Sequence, residues 1–446
     1  MDQRDRTAEV EHFTHTNKSE AVQHQRLEVT GSERTMGTVP EAITTAAGQD
    51  LPANVPAERV VDFDMFNPPH IDQGLQEAWK HLQESSGHDL MWTHHNGGHW
   101  IATRGSLVKH ILTDYEHFSS KCPFLPREAG EQYVLIPMSM DPPEQRPYRR
   151  ILNASIGPRI VDGIGDEIRS SARELVRQIR PAGSCDFIKE YAEVFPVKVF
   201  LTMIDLPPSD APRLKYIADQ MTRPDGSMTM AEATNQFFEY LSPFIDARTA
   251  EPGNDAISIV VQSKVDGRPI TKDEALKICS LLVLAGLDTV VNFLGFMMHF
   301  LAENPEKRRA LVKDPQLIPT AIEELLRRFA LVTDARLIKK DVKLDGVDLK
   351  PGDMVAVPSM LYGLEEQNNQ CPMDVDFGRE KIEHMTFGHG VHHCAGAHLA
   401  RVEVQVTLEE WLAHIPEFEV ADPSRVGYQS GIVGSVTSVP LRWTTD

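Results

Sequence analysis

The sequence predicts a mainly α-helical protein with small β elements, on three observations. Thr271-Lys272-Asp273-Glu274 carries the T-x-x-E signature of a reciprocal helix cap and opens a long apolar stretch that runs to Asn304-Pro305. A second helical pattern follows Cys394 and continues to His414, ahead of Pro416. The β-forming runs, by contrast, are short: Val342–Leu344 and Val347–Leu349 flank Asp345-Gly346, a strong hairpin turn signal.

Taken in order, residues 1 to about 55 are polar, rich in Thr and Glu, and without sustained periodicity, so a disordered lead-in is expected. Met36 offers a second plausible translation start besides Met1. Residues 56–446 are expected to form one large domain. Asn67-Pro68-Pro69 punctuates its entry, 74–83 reads as a helix, and 97–103 alternates around a turn as a small hairpin would. From 172 to 246 the periods are helical, broken by Pro and Gly; another helix is expected over 321–329, after Pro319. Met354–Pro358 reads as a strand, and 430–443, rich in Gly, Val and Ser, as extended chain.

The chain has 446 residues, 41% of them hydrophobic, enough for a sizeable core. A net charge of −20 disfavours nucleic acid as a partner. The five cysteines (Cys122, Cys185, Cys279, Cys371, Cys394) are scattered and odd in number, which fits a reduced, cytoplasmic compartment, and no secretory signal profile opens the chain. Only 278–302 is apolar enough to raise a membrane span. Gly286, Asp288, Thr289 and Asn292 at its centre favour a buried core helix instead, since an acid is costly in lipid.

The stretch with the most chemistry is 387–396, of the form F-x-x-G-x-x-x-C-x-G. It is a glycine-punctuated loop delivering Cys394 to the mouth of a helix, whose unpaired N–H groups favour a thiolate. Gly390 permits the tight turn, Gly396 would let a flat macrocycle approach without a Cβ in the way, and Phe387 would pack near it. Such a thiolate suits haem iron, onto which it pushes electron density to favour O–O cleavage. Two other readings compete. A lone internal cysteine is often a small core residue. The histidines nearby (His384, His389, His392, His393, His398) could suggest zinc, and His389 and His393 do have an H-x-x-x-H spacing, though in a loop rather than on a helix face.

The centre of the long helix, Ala285-Gly286-Leu287-Asp288-Thr289-Val290, runs against helix propensity. Gly286 removes a side chain and is expected to open a groove. Thr289 can bond back to a carbonyl and loosen the ladder. Asp288 is an ionisable group in an apolar run; the alternative is a solvent-facing acid on an amphipathic helix.

With the cysteine loop, the distal-helix pattern and Glu324-Leu325-Leu326-Arg327 together, the chain from Val60 to Trp443 resembles the cytochrome P-450 family of haem-thiolate monooxygenases. The resemblance implies a mainly α fold in which haem b sits between the long distal helix and the proximal cysteine loop, with O2 as co-substrate. It implies Cys394 as the axial ligand of the iron. Thr289 would hydrogen-bond at the oxygen-binding face, and Asp288 would relay protons from solvent so that O–O cleavage wins over peroxide release. Glu324 and Arg327, three apart on one helix face, would brace the haem core. Arg149, Arg336 and His392 match haem-propionate donors, His392 standing where the family usually has arginine; Gln145 replaces a histidine common in bacterial members.

Several stretches (219–229, 255–260, 286–294, 323–329 and 430–433) look like the bacterial camphor hydroxylase subfamily. That likeness makes Tyr133 the donor to a substrate carbonyl. Phe124, Leu281, Leu284, Val332 and Val433 become apolar pocket positions, and Met138 stands where a small hydroxylated residue is found. Lys215 and Arg223 become the ion-pair partners of the distal acid. Lys109, Arg146, Arg149, Lys381 and Arg401 match, or nearly match, a basic proximal face that docks a 2Fe–2S ferredoxin fed by an NADH-dependent reductase. The expected function is hydroxylation of camphor or a similar bicyclic monoterpenoid by a soluble, monomeric enzyme. Two alternatives stay open: the same chemistry on another terpenoid or small aromatic, kept alive by Met138, and a haem sensor without turnover.

Overall fold

In the computed structural model, residues 51–132 and 134–445 are described. The expected lead-in over 1–55 and the start at Met36 therefore lie almost wholly outside the described residues, as does Tyr133.

The long helix, Lys272–Glu303, is the element against which several other described helices pack. Its cap is reciprocal as expected: the Thr271 hydroxyl accepts from the Glu274 N–H, and the Glu274 carboxylate accepts from the Thr271 N–H at 2.8 Å. Pro305 opens the next helix, Pro305–Lys313, so the apolar run stops where the sequence says it must. It is long and apolar enough to cross a membrane, but 83% of its apolar window is buried inside the protein. Helices Phe195–Met203, Ala211–Thr222, Met230–Ala250 and Ala397–His414 pack against it.

The fold class is borne out: helices dominate and the sheets are small. The helix near 74–83 is Leu75–Ser85, and the one after Pro319 is Ile318–Arg328, which takes the proline into its first turn instead of starting beyond it. The hairpin at Asp345-Gly346 pairs Val342 with Leu349, and both turn residues have φ near +50° and +80° (48° and 79°), as a type I′ turn demands. The hairpin around 97–103 pairs Leu90–Thr93 with His99–Ala102.

Those two strands join a sheet that the sequence reading did not anticipate in full. Its strands lie in the order 90–93, 99–102, 354–358, 333–338, 118–119. The added strand, Thr333–Ile338, carries Asp334 and Arg336 among apolar residues, which hides its period; Arg336 pairs in register with Val355 and is buried. Ser184–Asp186, also unanticipated, pairs with Pro440–Arg442 and closes the C-terminal sheet.

Candidate active site

The cysteine loop folds back on itself. The Cys394 N–H donates to the Phe387 carbonyl at 2.8 Å and the His393 N–H to the Gly390 carbonyl at 3.2 Å. Gly388 and Gly390 both have φ near +70° (67° and 70°), and a Cβ on Gly390 would stand 2.7 Å from the Leu112 carbonyl oxygen, so glycine is required there twice over. A Cβ on Gly396 would meet only the Cys394 sulfur, at 3.8 Å. Burial pushes the Cys394 thiol up; the Gly396 N–H, Arg149 and Arg401 act in the opposite direction. Cys394 nevertheless carries accessible surface, as do Ala285 and Thr289 in the middle of the otherwise buried long helix.

Three basic side chains converge beside the loop. Arg336 is buried, its Nη1 donating to the Ala335 carbonyl at 2.7 Å and its Nη2 3.9 Å from Asp334. Arg149 donates from Nε to Asn153 at 2.9 Å and from Nη2 to the His393 carbonyl. Burial, then Arg336 and Arg149, hold the His392 imidazole down at about 4, and its buried Nε2 has no hydrogen-bond partner. An orphaned ring nitrogen among two guanidinium groups fits the paired carboxylates of haem. The residues present thus fit haem b. The Gln145 amide donates to the carbonyl of Val391, the residue before His392, at 2.9 Å and steadies the loop. Among the described residues no three His, Cys, Asp or Glu side chains are grouped to hold a metal ion, so the zinc alternative lacks a ligand set.

On the long helix, Thr289 Oγ1 donates to the Ala285 carbonyl at 3.2 Å, the back-bond expected of it. Asp288 is 1% exposed and is not a solvent-facing acid. Arg223 grips it with both ends, Nη1 to Oδ2 at 2.8 Å and Nη2 to Oδ1 at 2.6 Å, and Lys215 Nζ lies 3.3 Å from Oδ1. Burial pushes the Asp288 carboxyl up, but Arg223 and then Lys215 outweigh it and hold it below the usual carboxylate range. Two partners escaped the sequence reading. Asp219 accepts from both Lys215 and Arg223, and burial raises its own carboxyl. Asn292 donates to Asp288 Oδ1 at 2.8 Å. The signal for Asp219 was present in the spacing 215, 219, 223, one face of a helix.

Gly286 needs a correction. A Cβ there would stand 2.4–2.5 Å from the ring of Phe200, so the room it leaves is filled by a neighbouring helix and is not a groove for a cofactor.

Glu324 and Arg327 are both fully buried and bidentate, Nε to Oε2 at 2.7 Å and Nη2 to Oε1 at 2.9 Å. Arg327 also donates to the carbonyls of Gly363, Pro372 and Asp374, while Glu324 accepts from the Asp376 N–H and Arg379. The pair therefore ties the helix to the 363–379 segment that leads into the cysteine loop.

The proposed pocket positions are apolar and inside. Phe124, Leu281, Leu284 and Val433 are buried, Val332 forms a β-bridge with Val433, and Met138 is half-buried against the core. Leu281, Leu284, Ala285 and Thr289 share one face of the long helix.

Of the five basic residues assigned to docking, Arg146 and Lys109 are exposed, Lys109 lying 5.7 Å from the Tyr362 ring. Lys381 pairs with Glu383. Arg401 is half-buried and already paired: it is bidentate to Glu323 at 2.6 and 2.8 Å and stacks 4.5 Å from the centroid of Phe387. Lys109, Phe387, His393 and Arg401 line one surface cleft of about 360 Å³ beside the cysteine loop.

A sequence profile described as cytochrome P450 matches residues 219–426. The probable cytochrome P450 127A1 of Sinorhizobium fredii is 31% identical over 401 residues, which cover 88% of this chain and 97% of that protein. Mycinamicin IV hydroxylase/epoxidase of Micromonospora griseorubida is 30% identical, over 85% of this chain and 98% of its own. Among solved structures, CYP101J2 is 44% identical with a TM-score of 0.83, and CYP101C1 41% identical with a TM-score of 0.82; each match covers 89% of this chain and 100% of the other. The sequence likeness along the chain and the shared fold lead to one conclusion: this protein belongs to the cytochrome P450 family of monooxygenases.

Proposed function

We propose that this protein inserts one atom of O2 into an unactivated C–H bond of camphor or a similar bicyclic monoterpenoid. Electrons come from NADH through a reductase and a 2Fe–2S ferredoxin. The observation that carries the reading is the buried constellation on the long helix: an acid, Asp288, held by two cations, next to an alcohol, Thr289, with accessible surface. A sensor has no use for a caged acid beside a hydroxyl, whereas proton delivery to a distal face needs both.

Haem b, when bound, would be held through its iron by the Cys394 thiolate and would supply the oxygen-activating chemistry. Arg149, Arg336 and His392 would hold its carboxylates, and Phe387, whose carbonyl accepts from the Cys394 N–H, would pack near it. Thr289 turns its hydroxyl from the Ala285 carbonyl toward the distal face. Asp288, released from Arg223 and Lys215, passes protons inward from solvent. Leu281, Leu284, Phe124, Val332 and Val433 exclude water, and Tyr133 orients the substrate by donating to its one carbonyl. Residues 56–446 act as one haem domain, monomeric and cytoplasmic. Lys109 and Arg146 make the ferredoxin contact, supported by Arg149 and Lys381; Arg401 is already paired with Glu323.

The test is an optical titration of ferric protein with camphor. A Soret shift to the high-spin position supports the reading. A thiolate-haem spectrum that camphor leaves unmoved would remove camphor and favour another terpenoid, the reading that the bulk of Met138 supports.

A further inference from the structure

Arg223 does more than pair with an acid. It follows the helix Ala211–Thr222, and its Nη1 is shared between Asp288 Oδ2 at 2.8 Å and the main-chain carbonyl of Val433 at 2.9 Å. Its Nη2 is shared between Asp288 Oδ1 at 2.6 Å and Asp219 Oδ1 at 2.7 Å. One guanidinium thus joins three parts of the molecule: its own helix through Asp219, the long helix through Asp288, and the 430–434 loop through Val433.

That loop is part of the pocket wall. The Val433 side chain is buried, and Val433 bridges to Val332; the Thr333 N–H donates to the Ile432 carbonyl at 3.0 Å and the Gly434 N–H to the Leu331 carbonyl at 2.8 Å. It lies hard against Arg223: a Cβ on Gly431 would stand 2.9 Å from the Thr222 carbonyl and 3.2 Å from Arg223 Cγ. Because Asp219 and Arg223 sit on the same turn, their contact survives if either other part moves away. The Val433 carbonyl shares Nη1 with Asp288 and so helps to keep the guanidinium extended toward the long helix.

We propose that Arg223 is a positioning residue that locks the 430–434 loop to Asp288, so that displacement of the Val433 carbonyl loosens the Arg223 half of the hold on the acid, Lys215 being the other, and the fit of substrate against Val433 modulates proton supply. This rests on the monooxygenase reading above for its functional half, and on geometry alone for the link itself. Linkage is reciprocal: if loop position sets the hold on Asp288, removing the charge of Asp288 must loosen the loop.

The test is hydrogen–deuterium exchange of ferric holoprotein without substrate, followed on peptides covering 333 and 430–436. Asp288→Asn is expected to speed exchange there about tenfold, equivalent to about 1.4 kcal/mol of lost protection. Arg223→Lys should do the same, since one ammonium cannot span three acceptors. Thr289→Ala, one residue along the same helix but not bonded to Arg223, should leave those peptides unchanged. Equal exchange in wild type and Asp288→Asn overturns the proposal, as does an equal rise in Thr289→Ala. Should Asp288→Asn fail to hold haem, Gly431→Ala serves: it parts loop and guanidinium without touching Asp288 or Thr289. It should raise the peroxide released per NADH several-fold, and an unchanged ratio counts against the link. The exchange result does not depend on turnover, so a failure of the monooxygenase reading would show separately, as no product from wild type.

Discussion

Replacing Arg327 by alanine tests the brace behind the cysteine loop. The change removes both hydrogen bonds to Glu324 and leaves the carbonyls of Gly363, Pro372 and Asp374 without this donor. Glu324, itself fully buried, would keep only the Asp376 N–H and Arg379, whose Nε lies 3.1 Å away. Breaking a buried pair by deleting one partner costs about 3–5 kcal/mol. The remaining cation places this case at the lower end, about 3 kcal/mol, a large part of the roughly 5–15 kcal/mol that folded proteins possess. Urea unfolding of ferric holoprotein, followed by the Soret band, should show the midpoint falling by about 1 M, for a slope of about 3 kcal/mol/M. The double change Glu324→Leu with Arg327→Met should cost less than the single one, because no charge is stranded. A single-variant loss below about 1 kcal/mol would refute the argument that this network carries the loop.

Thr289→Ala should lower product per NADH at least about tenfold and return the electrons as peroxide, measured by product, peroxide and NADH together; unchanged coupling contradicts the role given to the hydroxyl. Gly286→Ala forces a Cβ into the Phe200 ring and should destabilise by about 1–3 kcal/mol, with Phe200→Leu in the same chain recovering most of it in thermal unfolding. No recovery would mean that the helix contact is misassigned. Burial pushes the Glu323 carboxyl up, but Arg401 and His384 bring it down to about 2 from 4.5, so its ion pairs stabilise the fold above about 4.5 and are lost as pH falls toward 2. Glu323→Gln should therefore flatten the acid limb of the stability curve in that window and leave its slope near neutrality alone; a wild-type slope below pH 4.5 would count against it.

How much of this could be read from the sequence varies with the range of the interaction. The ends of the long helix were legible because Thr271, Glu274 and Pro305 act on their own neighbours. The Asp345-Gly346 turn was legible for the same reason. Cys394 and its glycines stood out because their spacing is local. What failed was what depends on distant chain. Gly286 was expected to open a groove, and only the packed structure brings Phe200 into that room. Asp219 had a local signal in its spacing from Lys215 and Arg223, and Asn292 lies one helical turn from Asp288; what local spacing does not announce is that folding brings Lys215 and Arg223 onto Asp288 from another helix. Arg401 was read only as a basic residue of the proximal face, because nothing nearby in sequence announces its pairing with Glu323 or its stacking on Phe387. Thr333–Ile338 hid as a strand because its buried Arg336 breaks the apolar period.

The mixed sheet sets a timetable for biosynthesis. His99–Ala102 finds its parallel neighbour only at Met354–Pro358, with about 250 residues between them, and Cys394 emerges later still. At roughly 5–20 residues per second the early hairpin waits about 12–50 s for the strand that covers its edge. For that interval the nascent chain presents an unpaired edge beside Trp92 and Trp100, and unpaired strand edges are templates for pairing with other chains. If Cys394 holds the haem as proposed, capture of that group is a late event, since Cys394 lies in the last eighth of the chain. Yield in a heterologous host should then depend more on chaperone supply during synthesis than on pigment supply at its start.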